Sequence, residues 1–594
     1  MLFGKHFNKY YAKYWFFFLF GVITLIAIDF LQTFIPEAIG QIVTLMKDTD
    51  SVDVAAVHKL ALEVVGLGVL MMIGRIMWRL SLFWAAGKIK MDLRSEMFKK
   101  SERLSQRYYH SEKIGNIVSW FTSDLETITD YIGWGTVMLV DASFLTILVM
   151  IKMFMMSVPL TLLVLIPILL ITLWGFLSEI YLSKVWEARQ ASNDRLYDFA
   201  TEAFSGIRVI KAFVKERQQA IAFKKVARKC QKDSVKVAEV DGLFERLIDV
   251  LIHAIFGAFL IVGGYFAFYF TSGTAHSLFG MEIDLSTGEL VTFIAYFDTL
   301  IWPVIALGSV IAMHSRAKAS LKRTSAFLDQ EEEIILSDGT ERLENVKGEI
   351  VFNDLTFAYP GTEEAVLKNI NLTIKAGETV GIVGKIGSGK TTLVDCLLRL
   401  YNFGENRVKI DGIDIMKAKI DDVRASIAYV PQDNFLFSDT IANNINFSKK
   451  DGTEADAKEA AIFASVDRDI VEFKDGYQSL LGERGTTVSG GQKQRISMAR
   501  AYLKNAPILI MDDSVSAVDV KTETTILNNI KEKRAGKTTI IIASRISTVS
   551  KLDKVIVLND GEVEAFGSPK ELLATSKTYA RMAMLQELDR EEVK

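Results

Sequence analysis

The hydrophobic and polar positions of this chain fall into two regimes. Up to Met313 long apolar runs recur, and six of them, at about 15–38, 59–84, 132–155, 158–181, 243–270 and 288–313, approach or exceed the roughly 20 mostly apolar residues that cross a hydrocarbon core. They predict six membrane-spanning helices. After Gly348 the runs shorten to β-branched strands separated by turns and helices, the pattern of an α/β domain. The fold class expected is therefore an α-helical membrane domain followed by an α/β domain. The boundaries read as an interfacial N-terminal segment at 1–14, the six-helix domain at 15–320, a linker at 321–347 and the α/β domain at 348–588.

The polar gaps between the apolar runs alternate in length and charge. The gap after the second run carries Lys88, Lys90, Arg94, Lys99, Lys100, Arg103, Arg107 and Lys113, and the gap after the fourth carries Lys184, Arg189, Arg208, Lys211, Lys215 and Arg217. By the bias of Lys and Arg toward the cytoplasmic side, both face the cytoplasm. Thr44 to Val57 has only Lys47, and Thr271 to Thr287 has neither Lys nor Arg, so these face outward. An even number of crossings then puts both termini and the α/β domain in the cytoplasm of a multi-pass protein of the cell membrane. The basic gaps are themselves patterned as helices, at Met91 to Leu104 and Asp194 to Phe213, which predicts spans that continue into the cytosol.

Composition narrows the classes. Half of the 594 residues are hydrophobic, too many for an ordinary soluble enzyme of this length. A net charge of −3 without a basic, aromatic-interleaved stretch excludes a nucleic-acid partner. Cys230 and Cys396 are the only cysteines, and both fall in segments assigned to the cytoplasm, which argues against a disulfide scaffold or a cysteine zinc site.

Charges inside the apolar runs are costly. Asp29, Arg75, Arg79, Asp141, Asp249 and Asp298 lie within or at the edge of such runs. They read either as a polar substrate path, with Phe293, Tyr296, Phe297 and Trp302 as aromatic contacts, or as structural pairs and interfacial groups.

The α/β region carries more specific chemistry. The apolar strand Thr379 to Val383 runs into Gly384, Lys385, Ile386, Gly387, Ser388, Gly389, Lys390 and Thr391, and an apolar helix begins at Thr392. This is a P-loop in strand-loop-helix context, in which glycines let backbone N–H groups turn onto phosphates. Lys390 is positioned to reach the β and γ phosphates of ATP, and the Thr391 hydroxyl to meet Mg²⁺. A second strand, Ile508 to Met511, delivers Asp512 and Asp513 to a sheet edge, where Asp512 reads as the carboxylate that holds the magnesium ion through water.

Between these strands stands Val488-Ser489-Gly490-Gly491-Gln492, which resembles the signature of ABC proteins. Gly482-Glu483-Arg484-Gly485 resembles the loop that precedes it in exporters, Val430-Pro431-Gln432 the Q-loop, Tyr359 the aromatic residue that stacks on adenine, and Ser516-Ala517-Val518-Asp519 the D-loop. The Q-loop resemblance adds Gln432 to the expected metal-binding and catalytic residues. Ser205 to Phe213 is similar to the second coupling region of exporters. With these motifs in order, the chain resembles one half of an ABC exporter over nearly its whole length. The resemblance implies an ATP sandwich, in which the P-loop of one domain faces Ser489, Gly490, Gly491 and Gln492 of another. A second half-transporter is therefore an expected partner, along with membrane lipid.

Two positions depart from the family pattern. The catalytic glutamate after Asp512 is Asp513, and the switch histidine is Ser544. An aspartate is one methylene shorter, and a shift of about 1 Å in a catalytic group can cost about 100-fold in rate. A serine cannot place a positive charge beside the γ-phosphate. The expectation is a degenerate site that binds ATP and hydrolyses it poorly, in a heterodimer whose other chain supplies the consensus site. By analogy the cargo is a hydrophobic or amphipathic compound, as in multidrug efflux. Lipid or peptide export, or an ATP-gated regulator that does not pump, are the alternatives.

Overall fold

The apolar runs of the first half fold into helices that outlast a bilayer. The computed structural model describes residues 4–46, 53–271, 276–278, 281–283, 286–334, 339–482, 485–516 and 518–592. The chain divides into two units: Met1–Lys99 with Ile114–Asp329, and Lys100–Lys113 with Gln330–Lys594.

In the first unit Val54–Arg103 is one helix of 50 residues and Thr287–Leu328 one of 42. At 1.5 Å per residue the former is about 75 Å long, well beyond the ~30 Å hydrocarbon core. Among the described residues five helices are long and apolar enough to cross a membrane. The fourth predicted run falls on the helix Val158–Ser205, whose described apolar stretch, Val158–Leu170, is shorter than a full crossing. The count of six thus rests on the sequence.

Local sequence explains where these helices begin and bend. Ser286 accepts a hydrogen bond from the Glu289 N–H at 3.3 Å, and the Glu289 carboxylate accepts from the Ser286 N–H at 2.7 Å, a reciprocal cap that starts Thr287–Leu328. Asn8–Gln32 gives way at Thr33 to Phe34–Leu45. Between Ile114 and Met156 the helix takes three π-helical turns, Trp120–Asp124, Tyr131–Gly135 and Asp141–Leu145. The segment predicted as a second coupling region contains the short helix Ile207–Ala212, which buries none of its side chains.

The second unit is built on two sheets. The larger has six strands in the order Glu562–Gly567, Lys554–Asn559, Thr379–Gly384, Thr538–Ile542, Ile508–Asp512 and Ile427–Val430, parallel except for the first pair. Ile508–Asp512 and Thr538–Ile542 are buried at every position, as expected for central strands covered on both faces. The smaller sheet is antiparallel, in the order Leu367–Ile374, Ile350–Phe357, Val408–Ile410 and Ile413–Asp414. Its apolar side chains share one core with one face of the larger sheet, including Phe352, Leu355, Ile382 and Ile510. A second core, with Ala460, Ile496, Leu509 and Ile526, lies under the helices on the other face.

The segment Lys100–Lys113 joins this unit through ion pairs to the acidic run that follows Leu328. Lys100 meets Glu332 at 3.1 Å, and Arg107 meets Glu333 at 2.6 Å. Of the residues read from sequence, Lys47, Glu483, Arg484 and Ala517 lie outside the described residues, as does part of the predicted outward gap at 271–287.

Candidate ATP site

Three neighbouring parallel strands bring the motifs to one edge. Ile542 pairs with both Ile382 and Asp512, so the segments that follow the three strands emerge side by side. The P-loop leaves Thr379–Gly384, the Asp512-Asp513 pair ends Ile508–Asp512, and Ser544 follows Thr538–Ile542 between them.

The P-loop is shaped by close approach. A Cβ on Gly384 would stand 2.1 Å from the Leu558 carbonyl oxygen, so only glycine fits there. Gly387 and Gly389 take φ of 82° and 92°, a conformation that suits glycine and ends at the start of the helix Lys390–Leu397. Lys390 is half-buried and its Nζ donates to the carbonyls of Gly384 at 3.0 Å and Lys385 at 2.8 Å. Desolvation holds its pKa below the usual lysine value, against the pull of Asp512 and Asp513. Lys385 and Ile386 form the exposed tip of the loop. The Ser388 hydroxyl is buried without a hydrogen-bond partner. A cradle of glycines, a desolvated ammonium, an orphan hydroxyl and a helix start together fit a triphosphate.

Thr391 donates its hydroxyl to Asp512 Oδ2 at 2.9 Å. Burial raises the Asp512 pKa, while the Thr391 hydrogen bond lowers it. The two oxygens stand where a hard divalent cation next to a phosphate would be held. Gln432, the third predicted metal-site residue, is exposed, and its carbonyl accepts from the Asn434 side chain at 3.4 Å. No hydrogen bond joins the Gln432 side chain to Thr391 or Asp512 among the described residues.

Tyr359 stands beside the first turn of the P-loop helix. Its hydroxyl shares a hydrogen bond with Thr392 Oγ1 at 2.9 Å, and its ring meets Phe357 and Tyr401 edge-on at centroid distances of 5.3 Å each. Sequence reasoning missed what lies behind it. His110, from the Lys100–Lys113 segment, is 3.3 Å from the Tyr401 hydroxyl. Asp395, one helical turn on from Thr391, is pushed up to about 6 by burial, then by the Asp512 charge.

Asp513 and Ser544 do meet, loosely. The Ser544 hydroxyl reaches Asp513 Oδ1 at 3.4 Å. The Asp513 backbone, by contrast, is held tightly at a left-handed φ of 45°. Its N–H donates to the Ile542 carbonyl at 3.0 Å, and its carbonyl accepts from Gln494 Nε2 at 3.2 Å and Ser516 Oγ at 2.8 Å. Gln586, from the last helix, grips both sides of the Ser544 turn: its Nε2 donates to the Ser544 carbonyl at 2.8 Å and its Oε1 accepts from the Ile546 N–H at 2.7 Å. No sequence motif pointed to Gln586.

The signature lies elsewhere on the same unit. Ser489 caps the helix Gly490–Leu503, its hydroxyl accepting from the Gln492 N–H at 3.2 Å, while the Gln492 Oε1 accepts from the Ser489 N–H at 2.9 Å. Ser489 and Gly490 are exposed, and a Cβ on Gly490 would meet nothing within 4 Å. Asp519 likewise caps Val520–Lys533, accepting from the N–H groups of Lys521 and Thr522 at 3.0 Å.

In the membrane unit Phe293, Tyr296 and Phe297 are at most 2% exposed and pack in one apolar cluster with Val149, Met153 and Leu160. They form core rather than an open path, because the face of Thr287–Leu328 that carries them is covered by neighbouring helices. The Tyr296 hydroxyl donates toward Glu37 at 2.8 Å. Asp298 is on the exposed face of that helix, and Asp29 is buried.

Comparison with known proteins agrees with this architecture. Residues 18–304 match the family model of the ABC transporter transmembrane region, and residues 367–516 match that of the ABC transporter. The chain is 34% identical over 589 residues to the probable multidrug resistance ABC transporter ATP-binding/permease protein YheI of Bacillus subtilis (strain 168), covering 98% of this chain and 97% of that one. It is 32% identical to the multidrug resistance-like ATP-binding protein MdlA of Escherichia coli (strain K12), over 98% and 96% of the two chains. In fold it is similar to a bacterial Atm1-family ABC exporter with ATP bound, at a TM-score of 0.73, 24% identity and 98% coverage of each chain. With a helical membrane domain fused to a P-loop domain in the same order as these relatives, the chain belongs to the ABC transporter family as an exporter-type protein.

Proposed function

We propose that this chain is the degenerate-site half of a heterodimeric exporter of hydrophobic or amphipathic compounds. In this reading Tyr359, the P-loop from Gly384 to Thr392 and Asp512 bind ATP and Mg²⁺. Ser489, Gly490, Gly491, Gln492 and Asp519 complete the partner's site, where most hydrolysis takes place. The nucleotide domain and both termini face the cytoplasm.

One observation carries the asymmetry. The backbone of Asp513 is fixed by three hydrogen bonds, so it cannot advance to make up for a side chain one methylene short. A general base must come within hydrogen-bond reach of its water. Ser544, 3.4 Å away, adds no charge to compensate. The remaining residues of this chain still bind and orient: Lys390 neutralises phosphate charge, and Thr391 with Asp512 supplies oxygen ligands for the magnesium ion, whose role is to balance charge on the transferring phosphoryl group. ATP retained here keeps two nucleotide domains engaged while the partner's site turns over, which biases the membrane helices between inward-open and outward-open populations.

The test is copurification from the native membrane followed by ATPase assay. A second, distinct half-transporter is expected to copurify, with hydrolysis abolished by replacing the partner's catalytic glutamate. Brisk hydrolysis and transport by this chain as a homodimer would refute the proposal.

A further inference from the structure

The membrane unit carries an apolar groove with a cation in its wall. Phe17 and Phe20 of Asn8–Gln32, Leu80, Phe83 and Trp84 of Val54–Arg103, and Trp134 of the π-helical turn Tyr131–Gly135 line a cavity of about 1020 Å³ that is open to the surface. The Ser81 hydroxyl donates to the Phe17 carbonyl at 2.7 Å, and the Phe17 and Trp84 ring centroids lie 4.3 Å apart, so the two helices that form its floor are fixed to each other. Trp134 closes the other side, with its ring centroid 5.3 Å from that of Phe83. Leu80 and Trp84 are 67% and 45% exposed, which makes the open side a face that a bilayer covers.

Arg79 is the only charged residue lining the cavity among the described residues, and no acid stands with it there. It forms no ion pair among the described residues, and its guanidinium lies 5.7 Å from the Trp78 ring. It sits five residues before the end of the apolar run at 59–84. At 1.5 Å per residue that is a depth of about 8 Å, which a long arginine stem crosses to bring its head to the level of the lipid headgroups. Trp78 and Trp134, with ring centroids 6.5 Å apart, and Trp84, less than two turns on from Trp78, stand where membrane–water interfaces collect tryptophan. At the rim Lys88 is 5.3 Å from the Trp84 ring and in no ion pair among the described residues, while Asp92, one turn further on, is held by Lys13 at 2.6 Å. An apolar trough that ends in two free cations at headgroup level has the polarity of an anionic phospholipid, with its chains along the aromatic wall and its phosphate toward Arg79. A soluble anion gains nothing from the apolar wall, and a zwitterionic lipid brings a cation of its own against Arg79 and Lys88.

We propose that this groove binds one anionic diacylphospholipid, held by Arg79 and Lys88 in the leaflet at the Arg103 end of Val54–Arg103. The lipid is a resident ligand that bridges three membrane helices from the bilayer side. The inference uses the membrane unit alone and does not depend on the degenerate-site reading.

The test titrates the full-length protein, extracted in detergent and stripped of lipid, with phosphatidylglycerol and with phosphatidylcholine of the same acyl chains, and counts bound lipids by native mass spectrometry. Wild type is expected to retain one phosphatidylglycerol per chain in preference to phosphatidylcholine. Arg79→Gln should weaken phosphatidylglycerol about fivefold, the scale of one basic side chain beside an anionic headgroup, and leave phosphatidylcholine unchanged. Arg79→Lys should keep most of the preference. Lys99→Gln removes a cation of the same helix outside the groove and should leave both lipids as in wild type. Leu80→Trp, which fills the exposed part of the groove, should lower both. Unchanged ATP binding in each variant reports an intact fold. Equal affinity of wild type for the two lipids, a preference that survives Arg79→Gln, or an equal loss in Arg79→Gln and Lys99→Gln would overturn the site while leaving the exporter reading standing.

Discussion

Asp512 and Asp513 are adjacent in the chain, yet the two sides of the ATP site they belong to are built differently. On the side of Asp512 the side chains are fixed. Its carboxylate, 2% exposed, takes a 2.9 Å hydrogen bond from Thr391, and Lys390 is bound into the loop by two carbonyls. On the side of Asp513 the backbone is fixed and the side chains are not. Its main chain is hydrogen-bonded on both sides, while its carboxylate accepts from an exposed hydroxyl at the long distance of 3.4 Å. One side holds its polar side chains in fixed hydrogen bonds, and the other presents a shorter acid and an uncharged hydroxyl. On the proposed reading, the same sheet edge separates binding from hydrolysis by the length of one side chain.

The largest effect should come from the gripping side. Lys390→Ala removes the desolvated ammonium of the phosphate cradle and is expected to weaken ATP binding by about 100-fold, the scale of losing a desolvated charge partner. Equilibrium titration with ATP and Mg²⁺ reads it directly. If affinity is unchanged, the P-loop is not the gripping element and the contrast fails.

Next in size is repair of the weaker side. From a pinned backbone, Asp513→Glu advances the carboxylate by one methylene, and hydrolysis in the complex with the partner's own site inactivated should rise by about tenfold or more. Adding Ser544→His should raise it further. Single-turnover ATPase measurements separate this from any change in nucleotide affinity. No gain from the double variant would place the defect outside this pair.

A third prediction tests how dry the gripping side is. Asp395 titrates near 6 because it is buried and close to Asp512. The folded state therefore favours the neutral acid relative to the unfolded chain, where an aspartate titrates near 3.9. Stability from this group is full below about pH 4 and is lost as pH rises through about 6. Asp395→Asn should thus stabilise the protein at pH 7 by about 1 kcal/mol, after allowance for partial solvent access, and the gain should vanish toward pH 4. Thermal unfolding across that range, with wild type as reference, tests the sign.

Much of this was legible in the sequence, for a physical reason. The P-loop, the Asp512-Asp513 pair and the signature are short runs whose backbone conformation is set locally by glycine, capping residues and β-branched strands. The long membrane helices follow from apolar length alone. What escaped is non-local. Hydrophobic periodicity identifies Phe293, Tyr296 and Phe297 as one helical face without saying whether that face meets a path or a core, and the neighbouring helices that cover it decide. The His110–Tyr401 contact joins residues 291 apart in sequence. Its partners carry no motif that announces them.

Gln586 is the last such case, and it offers the smallest and most selective perturbation. Ser544 follows a fully buried strand, but its own side chain is exposed and weakly bonded. The turn keeps its shape because one amide from the last helix bonds the Ser544 carbonyl and the Ile546 N–H together. Gln586→Ala removes both bonds and leaves the P-loop untouched. ATP affinity should hold, while the gain in hydrolysis from the double Asp513→Glu and Ser544→His variant should shrink a few-fold, because a histidine on a loosened turn spends less time beside the phosphate. Gln586→Glu keeps the acceptor for Ile546 N–H but loses the donor to the Ser544 carbonyl, so it should fall between the two. An equal loss of ATP binding and hydrolysis in Gln586→Ala would instead assign this residue to the stability of the whole sheet edge.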